Sequence, residues 1–211
     1  GNIAALPGWE SGARLPGWYA FDNNGKGTWY EDQYQVGSNV GNTSYVALAL
    51  LQYYRVVPET VYLDTAKALM DWVIDNCSDG GDGFTGGFDG WAEAKKPVVT
   101  KFTYKSIEHN IDAYAAFTQL YALTNEPRYQ AAAESALRLI QSMYDPSEQV
   151  FYTGTTEDGV TPSKDNIVLD AQVWAAMALG KKFQPYESAL ARVKSMRVAG
   201  GGYPFCESNA N

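Results

Sequence analysis

The chain has 211 residues, of which 45% are apolar, and it carries a formal net charge of −8. This length suffices for one hydrophobic core and no linker-like stretch divides it, so the sequence predicts a single domain over residues 1–211. The negative charge disfavours nucleic acid as a partner, and the apolar runs are far shorter than the roughly 20 residues that a membrane span needs.

The first helical hairpin is predicted around Tyr45 and Tyr62. An apolar run around Tyr45 has the i, i+3, i+4, i+7 spacing that favours a helix over a strand. A second helix follows after a short turn, with Pro58 before its first turn and Tyr62 near its start. Residues 29–32, which precede the hairpin, combine two aromatic rings with two acids, and we expect them to form a rim loop.

The same pattern recurs twice further along the chain. Further alanine-rich first helices are predicted around Tyr114 and Trp174, and each is followed by a second helix that opens near Tyr129 or Tyr186. Long loops rich in glycine and aromatic residues follow the second helices, at residues 82–91, 151–159 and 200–205. Because all three loops leave the same end of a hairpin, we expect them to gather at one rim.

Several short motifs carry a resemblance to a known family. The sequence resembles bacterial six-hairpin glycosidase-like proteins, most clearly in the segments Leu15–Trp18, Trp29–Asp32, Gly41–Asn42, Gly86–Trp91, Lys105–Tyr114 and Leu169–Trp174. The resemblance implies an all-α (α/α)6 toroid in which first helices line the inside and second helices form the outer ring. It also implies a carbohydrate-binding cleft at the long-loop rim and a secreted or periplasmic location, with a cytoplasmic one left open.

Three hairpins are half of what a six-hairpin ring contains, so the predicted fold is a partial (α/α)6 barrel. Three explanations stay open at this stage: a fragment of a longer six-hairpin domain, an open arc, or a ring that two copies complete. Apolar faces left exposed on such an arc would favour self-association.

Two carboxyl groups are the minimum for hydrolysis of a glycosidic bond, one to donate a proton and one to act as nucleophile or base. Glu108 and Asp112 are separated by i,i+4 and therefore lie on one face of a predicted first helix. A helix-terminal charge paired with Lys105 is the alternative role for Glu108. Asp112 lies among apolar residues, where a buried carboxylate needs a partner.

Three further acids are candidates for the same chemistry. Glu31 and Asp32 belong to the predicted rim loop, for which an ordinary solvated turn is the alternative. Superposing Trp174, Tyr114 and Tyr45 aligns Asp170 with Asn110 and Gly41, a slot expected to face the ring interior. Asp112, Glu108, Asp32 and Asp170 are thus the predicted catalytic residues.

Aromatic rings near these acids are predicted to stack on sugar faces, and the remaining rings to plug the rim. The predicted substrate-binding residues are Trp29, Tyr30, Glu31, Phe88, Trp91, His109, Tyr114 and Trp174. His109 is the only histidine, which argues against a multi-histidine zinc site, and a plain helix role is its alternative. The acid-and-glycine run 79–89 does not match an EF-hand, so neither a metal nor a cofactor is predicted.

Three functions compete for this pattern. The first is a glycoside hydrolase with Asp112 or Glu108 as proton donor, acting on an oligo- or polysaccharide. The second is a polysaccharide lyase using Tyr104 or Tyr114 with His109 and Lys105, although a chain this acidic suits an acidic polymer poorly. The third is a non-catalytic glycan-binding or assembly protein. The two cysteines, Cys77 and Cys206, are bridged or free, with free thiols favoured.

Overall fold

The computed structural model describes the backbone of residues 37–93 and 96–209. It describes the side chains of these residues except those of residues 89–99 and 209. Its backbone forms two compact units. One contains residues 87–102 together with the short stretch before residue 40, and the other contains residues 40–86 and 103–209. The predicted single domain over residues 1–211 stays a prediction, because it includes residues outside the described ranges.

The first unit is a three-stranded antiparallel sheet. Its strands are β1 (Ser38–Asn39), β2 (Gly87–Glu93) and β3 (Lys96–Lys101), in the order β1-β2-β3. The sequence predicts only a loop over residues 82–91, and β2 corrects this. Strand β2 depends on pairing with residues distant in sequence, Ser38 for instance lying opposite Phe88, which local periodicity does not report.

The second unit is built from three helical hairpins. Their helices are α1 (Val40–Tyr54) with α2 (Thr60–Cys77), α3 (Ile107–Thr124) with α4 (Pro127–Ser142), and α5 (Leu169–Leu179) with α6 (Ser188–Ser195). A short hairpin of β4 (Tyr144–Asp145) and β5 (Val150–Phe151) leads out of α4. The predicted all-α class with three hairpins is therefore confirmed.

Each hairpin contributes one helix to an inner row and one to an outer row. Helix α1 packs on α3 and α3 packs on α5, while α2, α4 and α6 each pack on the first helix of their own hairpin. This is the arrangement of an (α/α) toroid, in which consecutive first helices stand side by side. The described hairpins form a part of such a ring, as the sequence predicts.

Local sequence explains where the middle hairpin turns. Ser106 caps α3 by accepting a hydrogen bond from the backbone N–H of His109, and Asn125 ends the helix in a left-handed conformation with φ of 56°. Pro127 then opens α4, where its missing N–H costs nothing. The third hairpin differs from the prediction, because Tyr186 lies in a 3-10 helix (Gly180–Tyr186) and α6 begins only at Ser188.

One backbone hydrogen bond recurs in every hairpin and joins its long loop to the start of its own first helix. The three donor–acceptor pairs are Val40 N to Gly86 O at 3.3 Å, Ile107 N to Thr153 O at 2.9 Å, and Leu169 N to Phe205 O at 2.9 Å. We call these bonds the loop staples. They hold each long loop at the rim where the first helix begins, which confirms that the loops of the second unit lie at the helix N-terminal rim.

The loop staples define which residues of the three first helices are equivalent. Two slots that face the concave side are occupied by Gly41, Glu108 and Asp170 near the rim, and by Tyr45, Asp112 and Trp174 one turn deeper. Two turns further on, the equivalent residues Gln52 and Gln119 touch, with Nε2 donating to Oε1 at 2.9 Å. That contact supports the same register for α1 and α3.

This register corrects the sequence-based superposition of Tyr45, Tyr114 and Trp174. Asn110 does not share a slot with Asp170 and does not face the ring interior; its amide bonds to the backbone of Phe84. The error arose because each first helix contains an aromatic residue followed by alanines, while the true register is set by backbone bonds to loops about 36 to 46 residues away.

The core lies between the two helix rows. Its largest fully buried side chains include Tyr129, Phe117, Leu51 and Met70. Cys77 and Cys206 are both buried and unbridged. In the described part of the chain, no helix combines the length and apolar character that crossing a bilayer requires.

Candidate functional site

The concave face of the second unit gathers three of the predicted acids. Glu108 lies in the first turn of α3, Asp112 lies one turn deeper on the same face, and Asp170 lies in the first turn of α5. Glu108 and Asp170 occupy equivalent positions on adjacent inner helices. The structure thus brings Glu108 within electrostatic range of both Asp112 and Asp170, and their catalytic role stays a prediction.

Burial and neighbouring charge raise the pKa of two of these acids. Burial raises the pKa of Asp112 to about 7, with a further contribution from the charge of Glu108. Burial also raises the pKa of Glu108, and the charge of Asp170 adds to the effect. The cluster thus holds one carboxyl, that of Asp112, which keeps its proton up to about neutral pH, the property that a general acid requires.

Asp112 is mostly buried, but its carboxyl oxygens are not among the fully enclosed polar atoms that lack a hydrogen bond. Its side chain is only 8% exposed, and no side chain or backbone group in the described ranges forms a hydrogen bond or ion pair with it. A carboxyl removed from water normally acquires such a partner. A polar group of this kind on a concave face is one that a ligand could satisfy.

Two aromatic rings from the slot that Asp112 also occupies contact each other. The rings of Tyr45 on α1 and Trp174 on α5 are 6.2 Å apart between centroids and inclined at 47°. Their helices flank α3 on either side, and both residues share the slot of Asp112. The sequence predicts a substrate role for Trp174 but misses Tyr45, which the equivalence of first helices would identify once their register is known.

His109 points sideways from α3 onto α1. Its imidazole lies against Gly41, where an added Cβ would come within 2.9 Å of Nε2. Burial lowers the pKa of His109, so the ring is neutral at physiological pH, and its Nδ1 is buried with no hydrogen-bond partner in the described structure. The close approach explains why α1 carries a glycine at this level.

Tyr114 lies on a different side of α3. It follows Asp112 by two positions in the helix, which places the two side chains on roughly opposite faces. It is 5% exposed, lines a separate cavity of about 210 Å³ with Thr118 and Tyr121, and lies 5.5 Å beneath the ammonium group of Lys182. The structure thus does not bring Tyr114 together with the acids.

The ammonium group of Lys105 binds two residues of the loop that follows α2. Its ammonium group is 2.9 Å from a carboxylate oxygen of Asp79 and 2.8 Å from the carbonyl oxygen of Asp82. It therefore pairs with Asp79 and leaves Glu108 without the partner that the alternative reading requires. Among the described residues, no cluster of three or more acids, histidines or cysteines is suited to hold a metal ion.

Several predicted site residues lie elsewhere or outside the described ranges. Phe88 belongs to the three-stranded sheet, where the ammonium group of Lys101 lies 5.9 Å from its ring centroid. Trp91 belongs to β2, and its side chain is not described. The remaining predictions fall outside the described residues: Trp29, Tyr30, Glu31 and Asp32.

Comparison with known proteins gives a match in structure alone. Neither a protein-family model nor a curated protein matches the sequence. The chain is similar to the cellobiose 2-epimerase of Bacillus thermoamylovorans, with a TM-score of 0.61, 14% identity, and coverage of 82% of this chain and 48% of that one.

Two other solved structures show the same similarity. A family 76 glycoside hydrolase (mannosidase) from Bacteroides thetaiotaomicron matches with a TM-score of 0.52 and 20% identity, covering 75% of this chain and 44% of that one. A D-mannose isomerase matches with a TM-score of 0.58 and 13% identity, covering 78% and 42%. The chain spans about half the length of the structures it matches, and its fold is that of the six-hairpin glycosidase-like toroids.

Proposed function

We propose that the protein acts on a carbohydrate and that it is a glycoside hydrolase. The observation that carries the proposal is the acid cluster on the concave face, in which Asp112 retains its proton to about pH 7 beside Glu108 and Asp170. The similarity to sugar-processing enzymes of the same fold supports a saccharide as the substrate, although that similarity concerns the fold.

The proposed reaction assigns one role to each carboxyl. Protonated Asp112 donates its proton to the glycosidic oxygen as the bond from that oxygen to the anomeric carbon breaks. The carboxylate of Asp170, on the neighbouring helix α5, either takes a proton from the attacking water or attacks the anomeric carbon itself. Burial is the main reason that the pKa of Asp112 is high, and the charge of Glu108 adds to it.

The test is release of reducing ends from a panel of α- and β-linked oligosaccharides. Asp112→Asn should lower kcat by at least about a hundredfold, because general acid catalysis contributes on that order. Asp64→Asn removes an exposed carboxyl on α2 and should leave kcat unchanged. Equal activity of the two variants, or no release from any saccharide by the wild-type protein, would refute the assignment.

The pH profile gives a second test of the same proposal. Because Asp112 must be protonated to act, the rate should fall as pH rises through about 7. An activity that stays constant between pH 6 and pH 9 would contradict the role of Asp112.

The neutral imidazole of His109 favours one alternative reaction. A neutral imidazole can accept a proton from carbon, and two of the similar structures are a sugar 2-epimerase and a sugar isomerase. An epimerase or isomerase would introduce deuterium from D2O at C2 of a reducing sugar. Deuterium incorporation that His109→Gln abolishes, without release of reducing ends, would favour this alternative over hydrolysis.

The lyase and the non-catalytic glycan-binding protein remain further alternatives. The lyase is less well supported, because Lys105, which would have to neutralise a uronate, is paired with Asp79. A secreted or periplasmic location, exclusion of nucleic acid and self-association stay predictions. For self-association, the exposed side chains of Val46 and Met177, at 53% and 81%, are the relevant apolar surface.

A further inference from the structure

We propose that Tyr45 and Trp174 form a stacking platform for one uncharged pyranose ring, held against the carboxyl of Asp112. This inference rests on the proposed site and names its substrate class. It adds Tyr45, on α1, to the predicted site residues, which include none from that helix.

The rings of Tyr45 and Trp174 contact each other although their helices are not adjacent. Tyr45 and Trp174 belong to first helices that are not neighbours, yet their ring centroids lie 6.2 Å apart. Since α3 lies between α1 and α5 in the inner row, the two rings meet across α3, in the slot that the loop staples also assign to Asp112. A ligand on this face would therefore meet the rings and the carboxyl together.

The ring of Tyr45 is open to solvent. Its side chain is 57% exposed, although a large aromatic ring on an inner helix could pack into the core as Phe117 does. The ring pair is also tilted at 47°, so neither face is fully covered by the other ring. An open aromatic surface in a concavity provides what the apolar C–H face of a pyranose stacks on.

The carboxyl groups of the site can form hydrogen bonds with the hydroxyl groups of the same pyranose. Asp112 is nine-tenths buried and has no partner in the described residues, and sugar hydroxyls both donate to and accept from a carboxyl group. Glu108, one turn nearer the rim, and Asp170 on α5 offer two more carboxyls to hydroxyl groups. A pyranose thus satisfies both the apolar and the polar surface.

The charge of the site selects among glycans. Burial and neighbouring acids raise the pKa values of Glu108 and Asp112, and no cation in the described chain acts on either group to lower them. The nearest lysine in sequence, Lys105, is paired with Asp79. A uronate or sulfated sugar would bring a second negative charge into this site, so the platform fits an uncharged glycan.

The experiment measures saccharide affinity by calorimetry in the Asp112→Asn background, which keeps the ligand intact. The ligands are mannotetraose and cellotetraose, as uncharged glycans, and tri-galacturonate as the acidic one. Tyr45→Ala and Trp174→Ala should each weaken binding of the uncharged tetrasaccharide by at least about tenfold. Tyr45→Phe, which keeps the ring, should stay within about twofold.

Tyr53→Ala is the matched control, because Tyr53 is an equally exposed tyrosine on α1 that packs on Tyr62 and not on Trp174. It should leave affinity unchanged. Binding should also change the tryptophan fluorescence, and this change should disappear in Trp174→Phe, a readout that does not depend on the alanine variants folding.

Three results would overturn the platform: no binding of either uncharged tetrasaccharide, Tyr45→Ala affinities equal to those of Tyr53→Ala, or tri-galacturonate binding as tightly as the uncharged ligands. Failure of the proposed hydrolase looks different. In that case the tetrasaccharides bind and Tyr45→Ala weakens them, but the wild-type protein releases no reducing ends.

Discussion

Asn110 on α3 and Gln172 on α5 bind phenylalanine backbones in the same way, one hairpin apart. The Asn110 amide accepts from the N–H of Phe84 at 2.8 Å and donates to its carbonyl oxygen at 3.0 Å. The Gln172 amide does the same for Phe151, with both distances at 2.8 Å. Each amide thereby ties the loop of one hairpin to the first helix of the next.

Removing either amide should destabilise the fold. Asn110→Ala and Gln172→Ala each leave a buried backbone N–H and C=O without partners, so we expect a loss of about 2 to 4 kcal/mol in the free energy of unfolding. Urea denaturation measures it. Gln130→Ala, at an exposed site on α4, should stay within about 0.5 kcal/mol and serves as the control. Equal losses in all three variants would contradict the role of the two amides.

The raised pKa of Asp112 predicts a pH-dependent stability. Between an unfolded pKa near 3.8 and a folded pKa of about 7, the folded state binds the proton more tightly, so stability falls as pH rises through this window. Asp112→Asn removes the ionisation and should be the more stable protein at pH 8, by up to about 4 kcal/mol, with little difference at pH 4.

Thermal unfolding of wild-type and Asp112→Asn protein across pH 4 to 8 measures this effect. Asp64→Asn, which removes an exposed charge, is the control for the change in net charge. A stability difference between wild type and Asp112→Asn that is the same at pH 4 and pH 8 would show that burial does not hold the Asp112 proton.

The sequence predicts the hairpins well and their mutual register poorly. The spacing of apolar residues and the prolines before second helices depend on neighbours a few residues away, so Tyr45, Tyr114 and Trp174 are correctly assigned to first helices. Glu108 and Asp112 are likewise correctly placed on one face, because i,i+4 spacing is a local property of a helix.

The register of the first helices cannot be predicted from the sequence, because backbone hydrogen bonds between residues far apart in the chain determine it. The aromatic–alanine motif allows two alignments of the first helices, and only the loop staples select the one that equates Asp112 with Tyr45 and Trp174. The same reason explains why Tyr114 was wrongly grouped with the acids. Its sequence motif resembles that of Trp174, but its side chain lies on the opposite side of α3 from Asp112. Strand β2 escaped prediction because its partner Ser38 is far away in sequence.

Because His109 lies against Gly41, we expect a methyl group added at Gly41 to change both the stability of the protein and the pKa of His109. Gly41→Ala would push the imidazole away from α1, costing about 1 to 3 kcal/mol of stability, and a more solvated ring would regain a pKa nearer its ordinary value of 6.5. As the chain has one histidine, NMR titration of its ring protons gives this pKa directly.

Gly200→Ala is the control, because an added Cβ there meets nothing within 4 Å. It should leave both the stability and the His109 titration unchanged. An unaltered His109 pKa in Gly41→Ala would mean that the ring does not depend on the space that Gly41 provides.

The buried ion pair of Lys105 with Asp79 should matter more than an exposed one. Lys105→Met leaves Asp79 without its partner and should cost about 2 to 4 kcal/mol, whereas Lys67→Met, which breaks the more exposed pair with Glu126, should cost less than about 1 kcal/mol. Asp79→Asn in the Lys105→Met background should recover part of the loss.

This effect should also depend on pH. Burial acts to raise the pKa of Asp79, but the hydrogen bonds from Lys105 and from the Gly81 N–H outweigh it and hold the pKa below its ordinary value. The stabilisation is therefore present above about pH 4 and is lost as pH falls through the lower folded pKa. Acid titration of unfolding should show the wild-type advantage over Lys105→Met shrinking below pH 4.

The loop staples differ from the amide bonds of Asn110 and Gln172 in what they connect. A staple closes a hairpin on itself, whereas an amide couples a hairpin to its successor. A chain organised in this way can gain or lose a whole unit while every remaining unit stays internally closed. Duplication of single hairpins is thus a structurally inexpensive route by which arcs and rings of different size could arise from one ancestral unit.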